Sequence, residues 1–173
     1  MYIYQAKPEE YQDIREFYHS LIDALEGLKY TPAWKKDIYP SPEDLRNATA
    51  HGWLYYGKEN GRIAASMVLN RKYNEEYNRV LWKADAAPEE ILVIHMLGVH
   101  RDFIGHGFGK EMVRFAFSLA RNTGVKAIRL DVLKGNLPAE KLYESLGFEY
   151  ITTLPMFYED TGWTEFELYE YRL

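Results

Sequence analysis

The chain has 173 residues, of which 47% are hydrophobic, so it can bury one core without help from disulfides or metal ions. It contains no cysteine, which excludes a disulfide framework, a thiolate metal cage and catalysis through an acyl-cysteine. Its net charge of -5 argues against general nucleic-acid binding, which needs a clustered basic surface, and no apolar stretch is long enough for a membrane span. We therefore expect one cytoplasmic domain, residues 1–173, whose partners are neither nucleic acids nor membranes.

The first half of the chain predicts two helices and several strands, from apolar periods of 3.6 and 2 residues. In order these are a strand at Met1–Gln5, an amphipathic helix that follows Pro8 and ends near Leu25, a helix from Ser41 to about His51, and strands at Trp53–Gly57, Arg62–Leu69 and Val80–Trp82. Asn60 and Gly61 favour the positive backbone dihedrals of a tight hairpin turn. The aromatic segment Gly27–Pro40 shows no period, and we expect it to be a loop on the substrate side.

The second half begins with Ile91–Val99, an almost continuous apolar run that is typical of a central strand buried on both faces. The following elements are a helix from Phe108 to about Asn122, a strand at Ala127–Val132, a helix that Asn136 caps and Gly147 ends, and strands at Phe148–Leu154 and Glu165–Tyr171 joined by a loop at Pro155–Thr164. This alternation predicts a single α/β unit with a mixed sheet.

A glycine-rich turn, Gly105-His106-Gly107-Phe108-Gly109-Lys110, lies between the buried strand and the next helix. Small residues there let several backbone N–H groups point into one concavity, and the helix N-terminus adds a partial positive charge, so the turn suits a phosphate group. A purely structural tight turn is the alternative. The P-loop pattern does not fit, because Ile104 stands where its first glycine belongs and Glu111 follows Lys110. The dinucleotide fingerprint does not fit either, because Lys110 stands where its third glycine belongs.

Together with the later segment Asn136–Phe148, this turn resembles two motifs of the GNAT acetyltransferase superfamily in their usual order. The resemblance covers roughly Ile91–Phe148 and implies an α/β (α+β) fold with a mixed, mostly antiparallel central sheet, flanked by helices and splayed at the central strand pair. It also implies acetyl-CoA as cosubstrate, with no metal. The family's loop has arginine or glutamine where this chain has Ile104, and we expect that difference to alter loop anchoring or affinity without abolishing binding.

The resemblance also implies which residues bind acetyl-CoA. In that family the pantetheine arm pairs like an added strand with the end of the strand before the loop, and a backbone N–H, here close to Leu97, stabilises the oxyanion. The pyrophosphate binds at the glycine turn. The implied cofactor-binding residues are Leu97, Gly98, Val99, Gly105, His106, Gly107, Phe108, Gly109, Lys110 and Asn136. For Asn136, a helix-capping role would explain the residue equally well.

His95 is the candidate general base. An alkylamine with a pKa near 10 is only about one part in a thousand neutral at pH 7, a deficit of roughly 4 kcal/mol, so a proton acceptor assists transfer. His95 lies two residues before Leu97, and this spacing resembles the arylalkylamine N-acetyltransferases, although Val93 stands where they carry a second histidine. The alternative is a neutral core histidine bonded to a backbone carbonyl.

Tyr143 is the candidate acid for the leaving thiolate. The resemblance places a tyrosine at this helical position with its hydroxyl near the sulfur of CoA, and packing on the apolar face of the helix is the alternative. His100 and His106 are expected at structural or cofactor-rim positions. We expect no metal site, because the odd spacing of His95 and His100 places them on opposite faces of a strand.

The resulting hypothesis is an N-acetyltransferase that moves an acetyl group directly from acetyl-CoA to the primary amine of a small molecule in a ternary complex. We expect substrate choice to lie in Gly27–Pro40, Arg71–Asn78 and Pro155–Thr164, where acids would suit a cationic amine; these acids include Glu75, Glu76, Glu159 and Asp160. Two alternatives stay open: a non-catalytic acyl-CoA sensor, which Ile104 and Val93 favour, and a peptide or protein N-acetyltransferase, which would need an open groove. The 15 tyrosines fit either amphipathic packing or a homodimer face.

Overall fold

The computed structural model describes residues 1–173 as a seven-stranded sheet with helices on both faces. The strands are β1 (Tyr2–Gln5), β2 (Leu54–Glu59), β3 (Arg62–Asn70), β4 (Ile91–Val99), β5 (Ala127–Leu133), β6 (Glu149–Tyr158) and β7 (Gly162–Arg172). The α-helices are α1 (Tyr11–Leu25), α2 (Pro42–Ala50), α3 (Phe108–Asn122) and α4 (Leu137–Glu144). None of these helices combines the length and the apolar character needed to cross a membrane.

The sheet has the strand order β1-β2-β3-β4-β5-β7-β6, and every neighbouring pair is antiparallel except β4 and β5, which are parallel. This confirms the predicted α+β fold with a mixed, mostly antiparallel sheet. The parallel pair is short: its ladder begins at Ile91 opposite Ala127 and ends at Val93 opposite Arg129. Beyond Val93 the two strands separate, so the centre of the sheet is splayed, as the family resemblance implied.

A β-bulge interrupts β4 directly after the point where β4 and β5 separate. The register with β3 shifts there, since Gly98 faces Ser66 while His95 faces Val68. Met96, inside the bulge, has a φ of 53°, which is the left-handed region that side chains other than glycine rarely adopt. An extra residue of this kind bends a strand and turns its backbone groups out of the regular ladder. The bulge therefore shapes the part of β4 that borders the opening.

The helices cover the sheet in two layers because their apolar residues recur at helical spacing. Ile14, Tyr18 and Leu21 of α1 are buried with β2 and β3 on one face, where α2 also packs. On the other face, Met112 and Ala116 of α3 and part of α4 are buried against β3, β4 and β5. A third apolar group, on the α1 side of β4, β6 and β7, is covered by the segment that precedes β4.

The strand predicted at Val80–Trp82 is wrong. This segment pairs with no strand and follows the short 3₁₀ turn Glu75–Arg79. The indole N–H of Trp82 donates to the carbonyl oxygen of Tyr77 at 3.0 Å, and the guanidinium of Arg129 lies 4.3 Å from its ring centre. The apolar residues that suggested a strand instead cover one end of the sheet.

The loop predicted at Pro155–Thr164 is also largely wrong, because β6 continues to Tyr158 and β7 begins at Gly162. Pro155 faces Glu165 within the ladder. Proline lacks the N–H that an interior strand needs, but β6 is an edge strand with a neighbour on one side only, so the missing donor costs no ladder hydrogen bond.

Candidate active site

The separation of β4 from β5 opens a cavity of about 380 Å³, of whose 24 lining residues 18 are hydrophobic. One side is formed by residues 94–99 of β4 and the other by residues 131–133 of β5, with the first turns of α4 beneath. Five residues of the predicted substrate loop also line it, together with Tyr158 from the end of β6; the five are Leu28, Tyr30, Pro32, Trp34 and Tyr39. The segment Arg71–Asn78 contributes none. The predicted substrate side thus lies against the cavity in two of its three segments.

The glycine turn before α3 carries backbone donors that no protein group accepts. The backbone N–H groups without an acceptor are those of Gly105, Gly107, Phe108, Gly109 and Lys110; the first inward bond is from Glu111 N to Gly107 O, at 3.1 Å. Gly105 and Gly107 have φ values of 86° and 82°, which only glycine adopts readily. Five free donors at a helix N-terminus form a site for an anion. The Phe108 side chain is 7% exposed and belongs to the core, so only its amide is available.

Gly109 lets the start of α3 pack closely against α4 and the end of β4. A Cβ atom at this position would lie 3.3 Å from Leu142 Cδ2 and 3.6 Å from Val99 Cγ2. Ile104, immediately before the turn, is 60% exposed and lines the cavity, whereas residues 105–110 are outside the lining, so the glycine turn adjoins the cavity at Ile104. His106 is exposed beside the Phe108 ring, 5.6 Å between ring centres.

His95 is half-buried and lines the cavity. Its Nε2 lies 3.0 Å from Asn70 Oδ1 and 3.0 Å from Lys72 O. Both are acceptors, since Asn70 Oδ1 also accepts from Lys72 N at 2.9 Å, so Nε2 carries the proton and Nδ1 keeps a free lone pair. Burial lowers the pKa of His95 to about 4, which leaves the ring neutral at pH 7. The backbone bond of the structural interpretation and the free nitrogen that a base needs are both present.

Tyr143 is 6% exposed and lines the cavity from α4. Its ring packs edge-on against Phe148 at 5.4 Å, yet its hydroxyl has no hydrogen-bond partner in the protein. No fully buried side-chain polar atom lacks a partner, so this hydroxyl is open to the cavity. Burial raises the pKa of Tyr143, so the hydroxyl stays protonated and remains a donor through neutral pH.

The bulge in β4 is held by a buried tyrosine. The hydroxyl of Tyr18 donates to the carbonyl oxygen of Met96 at 2.8 Å and lies 3.2 Å from Ser66 Oγ. This bond fixes the peptide next to Leu97, which is the residue whose N–H the resemblance places beside the thioester. Leu97, Gly98 and Met96 all line the cavity.

These features occur in a chain whose residues 11–148 match the model of the "Acetyltransferase (GNAT) family". The chain belongs to the GNAT family. It is an N-acetyltransferase of this family by that match and by its relatives. One relative is the uncharacterized N-acetyltransferase YesJ of Bacillus subtilis (strain 168), 25% identical over 155 residues, which are 86% of this chain and 83% of the relative.

Two crystal structures share the fold. The first is an acetyltransferase of the GNAT family from Streptococcus agalactiae 2603, with a TM-score of 0.80 at 19% identity over 99% of this chain and 95% of that one. The second is YncA, a putative acetyltransferase from Salmonella typhimurium with its cofactor acetyl-CoA, with a TM-score of 0.68 at 17% identity over 100% and 94% of the two chains. The GNAT fold thus spans nearly the whole chain.

Asn136 does not cap α4, which corrects one interpretation of this residue in the GNAT enzyme. Its side chain makes no capping bond, although it precedes the helix and lines the cavity. The carboxylate of Glu140 instead accepts from the N–H of Gly135 at 3.0 Å. The Asn136 amide is therefore available to a ligand.

His100 has a structural role. Its Nε2 lies 2.9 Å from Ser20 Oγ, and its Nδ1 accepts from the N–H of Asp102 at 3.3 Å, so the ring joins the end of β4 to α1. It does not line the main cavity. No group of three or more His, Cys, Asp or Glu side chains is arranged to hold a metal ion.

Asp131 is a cavity residue that the sequence analysis missed. Its Oδ1 accepts from the hydroxyls of Tyr77 at 2.6 Å and Tyr158 at 3.1 Å. Burial raises the pKa of its carboxyl group. The sequence does mark this position. Arg129 and Asp131 are two residues apart, so they lie on the same face of a strand that is otherwise apolar.

Proposed function

We propose that this GNAT enzyme transfers the acetyl group of acetyl-CoA directly to the primary amine of a small molecule within a ternary complex. The observation that carries the proposal is the cavity between β4 and β5. On one side it extends to Ile104, which directly precedes the turn with the free amides, and on the other it is lined by aromatic residues, His95 and Asp131. A thioester donor and an amine acceptor would therefore meet at the bulge of β4.

The donor side fits acetyl-CoA. The five free N–H groups between residues 105 and 110 suit a pyrophosphate, which they would bind without a basic side chain. Beyond Val93, the edge of β4 that faces β5 has no strand partner, so an extended pantetheine arm would pair with Leu97–Val99 as an added strand. The side-chain amide of Asn136, which makes no capping bond, lines the same cavity.

The reaction requires the amine nitrogen to bond to the thioester carbonyl carbon while the C–S bond breaks. Leu97 N–H, beside the bulge, would stabilise the negative charge on the carbonyl oxygen. The Tyr143 hydroxyl would donate to the departing thiolate, and His95 Nδ1 or water would take the amine proton. A histidine with a pKa of about 4 is a weak base and would not deprotonate a free ammonium group. It would take the proton from the nitrogen after that atom has bonded to the carbonyl carbon, because the nitrogen is then more acidic.

The segment that covers part of the cavity supports a small acceptor over a protein one. The segment Gly27–Pro40 lies over it and is tied down, since Lys35 Nζ donates to Asp160 O at 2.6 Å. Arg15 binds Asp37 of the same segment through two hydrogen bonds, of 3.0 and 2.8 Å. A peptide chain would need an open groove across this region.

A thiol-release screen of diverse amines with acetyl-CoA tests the proposal. The protein contains no cysteine, so a thiol reagent would detect released CoA without background from the enzyme. We expect at least one small primary amine to release CoA. Calorimetry that showed no binding of acetyl-CoA would refute the proposal. Tight binding without release by any amine would favour a sensor, and release only by peptides would favour a peptide acetyltransferase.

We also propose a cytoplasmic location and a homodimer. The edge strand β6 supports the dimer, because Tyr150 and Phe157 are about half exposed along it. Light scattering after size-exclusion chromatography would show a mass of two chains, and a single-chain mass at all concentrations would contradict this.

A further inference from the structure

We infer that Asp131 binds the ammonium group of the acceptor, and that the acceptor is a monoamine with an aromatic or other apolar body. This inference rests on the proposed function and specifies its substrate class. Three features support it: the position of Asp131, the charge balance of the cavity and the aromatic wall of the cavity.

Asp131 is placed across the opening from His95. The β4–β5 ladder ends at Val93 opposite Arg129, and two further residues along each strand lead to His95 and Asp131. Side chains two residues apart lie on the same face of a strand, so both belong to the same face of the splayed sheet. Both line the cavity. An ammonium group between them would contact Asp131 on one side and His95 Nδ1 on the other, and it would lose one proton to water before its nitrogen attacks the thioester.

Asp131 is the only acidic residue among those that line the cavity, and no lysine or arginine lines it. Its hydrogen-bond partners are the tyrosine hydroxyls described above, and it forms no ion pair. Arg129 on the same strand is also buried, but it has an opposite charge beside it, since its Nε lies 2.8 Å from Glu170 Oε2. An ionised carboxylate in a mostly apolar cavity is costly without a counter-charge. A bound ammonium group would supply that charge.

The aromatic wall favours a flat or apolar body next to the cation. Trp34 and Tyr39 have ring centres 6.4 Å apart, Tyr39 and Tyr158 are 5.7 Å apart, and Tyr158 and Phe166 are 4.9 Å apart. All four line the cavity. Their faces attract a cation, and their area buries apolar groups of the ligand.

A single carboxylate limits the charge of the acceptor. A polyamine would place its second ammonium group among apolar residues, which costs free energy. An amino acid would bring its own carboxylate towards Asp131. The loop acids Glu75, Glu76 and Glu159 do not line the cavity, and therefore offer no second binding site for a cation within it.

The test compares the binding of 2-phenylethylamine and its uncharged analogue 2-phenylethanol to the enzyme saturated with CoA, by calorimetry. We expect the amine to bind about 10- to 100-fold more tightly than the alcohol, the range for a hydrogen bond between charged groups, and more tightly than spermidine or phenylalanine. Asp131→Asn should remove the preference for the amine while leaving the affinity for the alcohol and for CoA unchanged.

Two variants control this experiment. Asp85→Asn makes the same change in charge at an exposed position away from the cavity, and should keep the preference. Tyr77→Phe removes a hydrogen bond of Asp131 but keeps the carboxylate, so a loss of preference equal to that of Asp131→Asn would assign Asp131 a structural role. Equal binding of amine and alcohol to the wild type, or tighter binding of spermidine, would overturn the inference. Because no turnover is needed, these outcomes are independent of the thiol-release result.

Discussion

At the scale of single residues, burial gives Tyr143 and His95 complementary protonation states. Removal from water disfavours the charged form of each group, which raises the pKa of the tyrosine and lowers that of the histidine to about 4. At pH 7 Tyr143 thus presents a hydroxyl donor to the cavity, and His95 presents a nitrogen acceptor. This is the division that acyl transfer between a thiolate and an amine requires.

Replacement of Tyr143 by phenylalanine should slow turnover without weakening the binding of acetyl-CoA. The ring would still pack against Phe148, but the donor to the thiolate would be lost, and we expect kcat to fall about 10- to 100-fold, as for a strong hydrogen bond. Steady-state kinetics and calorimetry measure the two effects. Tyr169→Phe is the matched control, because its hydroxyl binds Glu167 away from the cavity. An unchanged kcat for Tyr143→Phe would exclude it from the mechanism.

His95 should make stability fall in mild acid. Its pKa is lower in the folded chain than the ordinary value of 6.5, so the unfolded chain takes up the proton first. Stability is full above pH 6.5 and is lost as the pH falls towards 4, by about 2 kcal/mol between pH 7 and 4.5. Urea unfolding at both pH values should show that His95→Gln loses less stability than the wild type by about this amount. An identical loss would contradict the assignment.

The motif residues of the site could be predicted from the sequence, because the spacing of Tyr143 and His95 follows family patterns. No family pattern marks Asp131. The charged pair Arg129 and Asp131 makes it stand out in an apolar strand, but its role depends on two tyrosines distant in the chain and on the absence of a cation nearby. The sequence could not show that the side-chain amide of Asn136 is free, because an asparagine before a helix looks the same whether or not its side chain makes a capping bond. Contacts of this kind depend on tertiary structure alone.

At the scale of elements, the N-terminus of α3 joins local sequence to function. Alternating glycines supply the positive dihedrals that leave its amides free, and the apolar residues of the same helix fix it to the sheet. Helices and the central strand were predictable because each carries a strong period. Two elements could not be predicted in this way. Val80–Trp82 covers the core without pairing, and β6 continues through Pro155 because it is an edge strand; both facts depend on the position of the segment in the fold.

Replacement of Gly107 by alanine should weaken acetyl-CoA binding. A side chain at a φ of 82° costs about 1–2 kcal/mol, and relief of that strain would move the free amides. Gly124, just after the same helix, has a φ of 70° and equally open surroundings, so Gly124→Ala is the matched control for strain. We expect both variants to lose similar stability in thermal unfolding, but only Gly107→Ala to raise the Kd. Equal Kd values would contradict a role of the turn in binding.

At the scale of the whole molecule, ligand binding should stabilise the folded chain. Acetyl-CoA at about 100 times its Kd adds about 2.7 kcal/mol, which for a chain of this size corresponds to a rise in Tm of about 5–10 °C. Differential scanning fluorimetry measures the shift. S-acetylpantetheine, which lacks the pyrophosphate, should give a smaller rise at the same concentration. No rise with saturating acetyl-CoA would contradict the proposed cosubstrate.

The short ladder between β4 and β5 makes the sheet mechanically two parts. Strands β1 to β4 form one part and β5 to β7 the other, and between them the sheet is continuous only from Ile91 to Val93. The cavity lies at the open end of this junction, so the junction would act as a hinge. A ligand in the cavity would contact both parts and restrict their relative motion. Backbone hydrogen exchange should therefore slow on both strands together when a ligand binds.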